Sequence, residues 1–238
     1  MNSVISIIIP ALNEEQSLPR TLAPLVGNAR CEVILVDGGS EDGTLALARS
    51  FGCKTYAGPR NRSRQMNLGA EKSRGSALLF LHADTLLPDN FLHAVYPALA
   101  NENVAAGAFS LSFDCDSRAL GIIARGANLR SRFFQLPYGD QGLFTSRSNF
   151  KAVGGYPEME IMEDFVFVRK MQGQGRIITL DEKVTTSARR WKNIGILRTT
   201  LINQIIICGH SLGVSPATLA RWYQRVRRTT NTQSGKFK

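Results

Sequence analysis

Acidic side chains are missing altogether from one stretch of this 238-residue chain: residues 183–238 hold 11 Lys and Arg and no Asp or Glu. The formal net charge of +10 therefore resides in the last quarter, and the rest is close to neutral. Such a segment suits an anionic surface, lipid phosphate or nucleic acid, and a solvated helix face with a frayed end fits it equally. Cysteine is sparse too. Cys31, Cys53, Cys115 and Cys208 show no C-x-x-C spacing. That argues against a disulfide framework or a structural zinc site and for free thiols in a reducing compartment. No apolar run is long enough to cross a membrane: Val4–Ile9 is stopped by Pro10, with no basic residue before it. No G-x-G-x-x-G follows that first run, which excludes the usual dinucleotide-binding fingerprint. Internal repeats and low-complexity linkers are absent as well.

What is present alternates between short apolar runs and helical patterns. Val4–Ile9, Glu32–Val36, Lys54–Ala57 and Leu78–Leu81 read as strands, the first, second and fourth buried on both faces. Helices are expected at about Glu14–Val26, from Ser40 or Thr44 to Phe51, over Arg60–Ala70, and over Pro88–Leu99, with Asn13 capping the first. Strand, helix, strand, helix implies a mostly parallel sheet covered on both sides. Beyond residue 100 the pattern changes. Phe109, Leu111 and Phe113 alternate with Ser110 and Ser112, as in a strand with one face less buried. Residues 117–135 look helical, another helix starts at Glu163-Asp164, and Ile177–Thr186 reads as the last strand.

Leu78-Leu79-Phe80-Leu81-His82-Ala83-Asp84 is the centre of this arrangement. Asp84 falls at the carboxyl end of a buried strand, the edge where open α/β sheets bind ligands. A carboxylate there suits Mg²⁺ or Mn²⁺, which prefer oxygen donors and often share them with phosphates. The plainer reading makes Asp84 a cap for the next helix. Arginines crowd the start of the 60–70 helix, where the dipole disfavours cations, so an anion such as phosphate is one explanation and simple surface arginines the other. Glu163-Asp164 can be acid–base groups or two acids favoured by a helix start.

Four polar clusters follow strands or open helices: Asn13-Glu14, Asp37-Gly38-Gly39, His82-Ala83-Asp84 and Glu163-Asp164. Together with Ser6-Ile-Ile-Ile-Pro10-Ala-Leu-Asn13-Glu14, Val36-Asp37-Gly-Gly-Ser40, Leu79-Phe-Leu-His82-Ala-Asp84 and Val153-Gly-Gly-Tyr156, they resemble the family 2 glycosyltransferases over about residues 4–170. Arg64-Gln65-Met66-Asn67, Tyr138-Gly-Asp-Gln-Gly142 and Ser187-Ala-Arg-Arg-Trp191 resemble a narrower subfamily, associated with radical-SAM genes and arsenosugar biosynthesis.

The resemblance implies an α/β fold of the GT-A type, a Rossmann-like, mostly parallel mixed sheet flanked by helices, with a C-terminal helical extension. It implies a transferase unit at 1–190, with a nucleotide-binding half to about 115 and an acceptor-side half at 116–190. The implied reaction moves a sugar from a nucleotide-diphosphate sugar, UDP-linked first and GDP-linked next, to an acceptor hydroxyl. It would be inverting, as most of the family are, and assisted by a divalent cation at Asp84. Pro10, Ala11, Asn13, Glu14, Asp37, Gly38, Gly39, Arg64, His82 and Ala83 would line the donor pocket, with Asp37 on the base and Arg64 near the diphosphate. Asp164 would be the base, beside Glu163. Asp140, Gln141, Arg189, Arg190 and Trp191 would lie on the acceptor or sugar side. Where many relatives have Asp-X-Asp, this chain has His82-Ala83-Asp84. A neutral imidazole brings no charge, so His82 reads as a ribose or phosphate contact, not a metal ligand.

In residues 191–238, Ile194, Leu197, Leu201, Ile205, Cys208 and Leu212 form one helical stripe. It could pack on the core, bury in a homodimer or rest on an anionic membrane. A second amphipathic helix is expected over Ala217–Arg228 and disorder from Thr229. The expected place is the cytoplasm, with the inner face of the membrane open. No nucleic acid is expected, since RNA-reading aromatics are lacking. The rival function is a non-catalytic relative held on an anion or membrane by its basic segment.

Overall fold

The computed structural model describes the backbone of residues 4–234, without the side chains of residues 224 and 227–234. The first apolar run becomes β1 (Ile5–Ala11), with all seven residues buried. Its alternation sorts the core into two layers. Ile5, Ile7 and Ile9 point to one side, with Leu35, Leu79 and Phe144, and Ile8 points to the other, with Leu78 and Phe80. Buried on both faces, such a strand has no use for polar alternation.

β2 (Cys31–Asp37), β3 (Lys54–Ala57) and β4 (Ala77–Phe80) join β1 in parallel. The expected parallel sheet holds for these four and then turns mixed. β7 (Leu143–Ser146), unforeseen from the sequence, pairs antiparallel with β4 and with β6 (Val104–Phe113). β8 (Arg176–Thr186) runs parallel to β6, and the two-residue β5 (Thr85–Leu86) pairs antiparallel with the end of β8. The strand order is β3-β2-β1-β4-β7-β6-β8-β5. The serines of β6 mark no open face: Ser110 is buried and its hydroxyl donates to the Leu180 carbonyl at 2.7 Å.

On the first layer lie α1 (Leu18–Leu22), α2 (Thr44–Ser50) and α4 (Phe91–Ala100); on the second lie α3 (Arg62–Lys72), α6 (Arg147–Ala152) and α7 (Glu163–Gln172). The second layer is built on rings: Tyr156 stacks on Phe167 at 4.1 Å, and Phe80 meets Tyr156 edge-on at 4.9 Å. α5 (Arg118–Phe134) covers β6 and β8.

Asn13 does not cap α1. That helix is short, held between Ser17 and the turn at Pro24, while Asn13 takes a left-handed backbone (φ 55°) and bridges two loops. Asp84 does not cap α4 either, since Asn90 occupies that position.

Three helices close the chain: α8 (Arg189–Ile194), α9 (Ile196–Ser211) and α10 (Pro216–Ser234). The expected stripe faces outward, with Leu197 87%, Leu201 60% and Leu212 84% exposed. Thr199, Ile202 and Ile206 are buried instead, Ile202 and Ile206 against Met162 with Phe165 and Trp222 beside them. Two overlapping stripes share the 3–4 spacing, and only the partner surface at Met162 selects between them. The disorder expected from Thr229 gives way to helix as far as Ser234, and residues 235–238 lie outside the described residues.

Candidate active site

The site assembles where the carboxyl ends of β1, β2 and β4 meet. Pro10 and Ala11 finish β1, with Ala11 opposite Asp37 at the end of β2. From Phe80 the chain continues through Leu81, His82 and Ala83 to Asp84. Because β7 runs against β4, with Phe80 opposite Leu143, the short 3-10 turn Gly139–Gln141 arrives at the same edge. By the same logic, pairing of Thr85 with Thr186 carries Ser187–Trp191 beside Asp84, and the Ser187 N–H donates to the Asp84 carbonyl at 3.2 Å. The start of α7 completes the rim: the Gly139 N–H donates to Asp164 Oδ2 at 2.8 Å.

The loops after β1 and β2 are tied to each other. Asn13 Oδ1 accepts from the Glu41 N–H at 2.9 Å, and the Asn13 N–H donates to Ser40 Oγ at 2.9 Å. Asp37 spends both carboxylate oxygens on its own turn, Oδ2 accepting from the Gly39 and Ser40 N–H groups and Oδ1 from the Ser40 hydroxyl. Gly39 sits at φ +87°, where glycine is favoured, and a Cβ on Gly38 would push the Gln65 amide aside.

Asp84 lies near Glu14, Arg189 and Asp140. Burial raises its carboxyl, Glu14 and Asp140 raise it further, and Arg189 opposes them. Among the described residues, no group of three or more His, Cys, Asp or Glu is gathered to hold a metal alone. A facing set of carboxylates with only one at the strand end nevertheless fits Mg²⁺ or Mn²⁺, which takes one or two protein oxygens and completes its shell from a diphosphate and water. His82 stays neutral. Burial, with the Arg62 and Arg190 charges, pushes its imidazole down to about 3, so it cannot serve as a cation here.

Arg64, expected near a diphosphate, is turned away. It pairs with Glu158 at 2.8 Å, both side chains more than half exposed. Arg62 takes its place in the cleft. It pairs with Glu163, comes within 3.4 Å of His82 Nε2, and keeps 44% of its side chain open. Residues two apart in a helix point to opposite sides. The signal was there in the spacing: Arg62, Met66, Gly69 and Ala70 share one stripe, and the last three are buried. Burial works against the Arg62 charge, but Glu163 and Asp164 outweigh it and keep it ionised. Glu163 itself is 1% exposed; burial raises its carboxyl and Arg62 opposes that rise.

Asp164 lines the cleft, one oxygen on Gly139 and the other accepting the Phe165 N–H at 2.8 Å. Asp140 is the exception to this order: its Oδ1 is buried without a hydrogen-bond partner, and burial together with Asp164 raises the carboxyl against the pull of Arg130. Gln141 is fully buried and points inward, donating to the Phe109 carbonyl at 3.1 Å and accepting from Arg130 at 3.3 Å. It braces the loop from inside the protein. Arg130 lies over the Tyr138 ring at 3.5 Å, a second brace that sequence reading missed.

Arg189 reaches back across the cleft to Glu14 Oε2 at 2.8 Å and to the Ser17 hydroxyl at 3.2 Å. Arg190 bonds Asn203 at 3.0 Å while its charge still reaches His82 and Asp140. Trp191 packs edge-on against Phe113 at 5.8 Å and so anchors α8. The cleft floor is lined by Pro10, Arg62, Phe80, His82, Tyr156 and Glu163.

Comparison with known proteins gives a consistent assignment. The family described as Glycosyl transferase family 2 matches residues 6–148, more than half of the chain. The sequence is 36% identical over 108 residues to 4,4'-diaponeurosporenoate glycosyltransferase of Staphylococcus haemolyticus, covering 41% of this chain and 29% of that protein. It is 33% identical over 106 residues to dolichyl-phosphate beta-glucosyltransferase of Drosophila melanogaster, covering 36% and 32%. The chain thus spans about a third of the length of these curated relatives. In fold it resembles the mannosyltransferase PcManGT of Pyrobaculum calidifontis, solved with GDP-Man and Mn²⁺, at TM-score 0.61 and 19% identity over 77% of this chain and 56% of that one. It also resembles S. aureus TarS 1-349 in complex with UDP, at TM-score 0.63 and 17% identity over 77% and 60%.

Proposed function

The chain belongs to glycosyl transferase family 2, and on that premise we propose that it moves a sugar from a nucleotide-diphosphate sugar to an acceptor hydroxyl. One observation carries the reading. Carboxylates from three separate segments, Asp84, Asp140 and Asp164, converge on one sheet edge beside a neutral histidine and a half-open arginine. Such a set suits chemistry in which a diphosphate departs from an electron-poor sugar carbon and an acceptor loses a proton.

Asp84 would hold a divalent cation, Mg²⁺ or Mn²⁺, and that cation would supply charge neutralisation for the leaving group. Arg62 lies within reach of the same phosphates and adds a fixed positive charge. Asp164 accepts the acceptor proton. Each of its oxygens already holds one N–H and keeps a lone pair for the hydroxyl. The unpartnered Oδ1 of Asp140 is matched by a hydroxyl of the transferred sugar or of the acceptor. Pro10, Ala11, Gly38 and Gly39 shape the nucleoside side.

As part of this proposal, residues 1–190 are the transferase unit, with the nucleotide half ending near residue 115, and 191–238 the extension. The donor is a UDP-sugar first and a GDP-sugar next. The subfamily associated with radical-SAM genes and arsenosugar biosynthesis is supported by Tyr138-Gly-Asp-Gln-Gly142 and Ser187-Ala-Arg-Arg-Trp191, both of which lie at the site. The four free thiols favour the cytoplasm as its place.

The test is a thermal-shift panel of UDP, GDP, ADP and CDP, each with and without Mn²⁺. A nucleotide at about 100 times its dissociation constant adds roughly 2.7 kcal/mol of stability. We expect a Mn²⁺-dependent shift with one nucleotide, lost in Asp84→Ala and kept in Asp164→Asn. The latter should lower sugar transfer by about 10²–10⁴-fold. No shift with any nucleotide overturns the donor assignment.

A further inference from the structure

Helix α5 turns most of its large apolar residues outward. Its buried residues are Leu120 near the start and then only the small Ala124 and Ser131, and Ser131 shares a 2.5 Å hydrogen bond with Thr179. Asn128 uses both ends of its amide on the Leu111 backbone, at 2.7 and 3.1 Å. Four of its six large apolar side chains point to water instead: Ile122 is 67%, Leu129 55%, Phe133 77% and Phe134 68% exposed. A helix that only covered a sheet would place these four inward. The rings sit at the end of the helix that leads, four residues on, into Tyr138 and the cleft-lining turn.

Charge decides what covers this face. Residues 118–134 contain four arginines and no acid. Arg118 and Arg125 are exposed and fall on the same stripe as Ile122, Leu129 and Phe133. A second copy packed on this face about a twofold axis would bring one arginine-bearing, acid-free helix face against another. Nucleic acid would match the arginines and leave an Ile-Leu-Phe row without a partner. An anionic bilayer surface accepts both, taking rings and aliphatic chains at the acyl boundary and guanidinium groups among the phosphates. No helix among the described residues is long and apolar enough to cross a membrane, so the contact would be parallel to the surface.

We infer that the outward face of α5 is a docking surface for anionic lipid, with Phe133 and Phe134 as its inserted anchors. This does not rest on the proposed transfer reaction, and its test uses no turnover. The full chain is sedimented with phosphatidylcholine vesicles with and without phosphatidylglycerol, at low and high salt. The expected result is binding that requires phosphatidylglycerol and weakens with salt. Phe133→Ser/Phe134→Ser should lower the partition coefficient by about tenfold or more. Leu197→Ser/Leu201→Ser, on the exposed face of α9, should leave it unchanged. Near-unaltered melting temperatures and circular dichroism establish that both variants fold. Equal binding by the α5 variant, or loss only in the α9 variant, overturns the proposal in favour of the C-terminal segment. A dimer in lipid-free solution that the α5 double substitution converts to monomer overturns it in favour of a second copy.

Discussion

Arg62 and Glu163 test the logic of the site residue by residue. Glu163 is almost wholly buried, so removing its partner leaves a carboxylate that water cannot reach. A fully buried pair broken in this way costs roughly 3–5 kcal/mol. Arg62 keeps an open side, so Arg62→Ala should cost about 2 kcal/mol in urea unfolding. The pH dependence follows. Without Arg62 the folded-state pKa of Glu163 rises further above its unfolded value, which makes the ionised form destabilising. That penalty fades as pH falls below the folded pKa, so the gap in melting temperature between wild type and variant should shrink from about pH 8 to about pH 5. Glu32 behaves oppositely. Burial disfavours its charge, yet hydrogen bonds from Lys54, Ser6 and Arg74 outweigh this and hold it down at about 2. A depressed carboxyl stabilises above its unfolded pKa, and that contribution is lost as pH falls from about 4.5 to about 2. Lys54 and Arg74 are open to water, so we expect about 2 kcal/mol, not the full shift. Acid titration of Glu32→Gln should show a flatter loss of stability than wild type over that window.

Among the elements, α3 matters most, because it carries Arg62 into the cleft. Gly69 lets it lie close on β1: a Cβ there would run into the Ile8 side chain and press on Val36. Helix propensity alone favours Ala over Gly by about 1 kcal/mol. Overpacking of a closed core costs about 1–3 kcal/mol. The second effect should win, so Gly69→Ala should lower the urea midpoint, and a rise would show that α3 can lift off without penalty. At this scale β1, β2 and β4 were legible because each is a nearly continuous apolar run. β7 was not, since in Leu143–Ser146 only the first two residues are apolar and Thr145-Ser146 break the run. The terminal stripe misled for a different reason: the spacing was read correctly, but burial was assigned without knowing the surface opposite.

For the whole molecule, the thiols offer a simple check on how the layers close. Cys53 is buried and Cys31 partly so, and burial pushes both thiols up to about 11, while Cys208 on α9 is exposed. Mass spectrometry after brief alkylation of native protein should find Cys208 modified first, with Cys31 and Cys53 protected until denaturant is added. Rapid labelling of Cys53 would contradict the packing of the first layer. The sequence by itself determined that an α/β sheet with a parallel first half forms and that Asp37 and Asp84 follow its buried strands, because burial on both faces imposes unbroken apolar runs and loops hold the polar residues that follow. It also determined that the positive charge collects at one end. Tertiary structure alone decided that Arg62 and not Arg64 faces the cleft, that Gln141 and Trp191 brace it, and that α5 shows its apolar side to water. Each of those depends on which surface lies opposite a side chain, a distance set by strand pairings such as Phe80–Leu143 and Thr85–Thr186, between residues far apart in the chain.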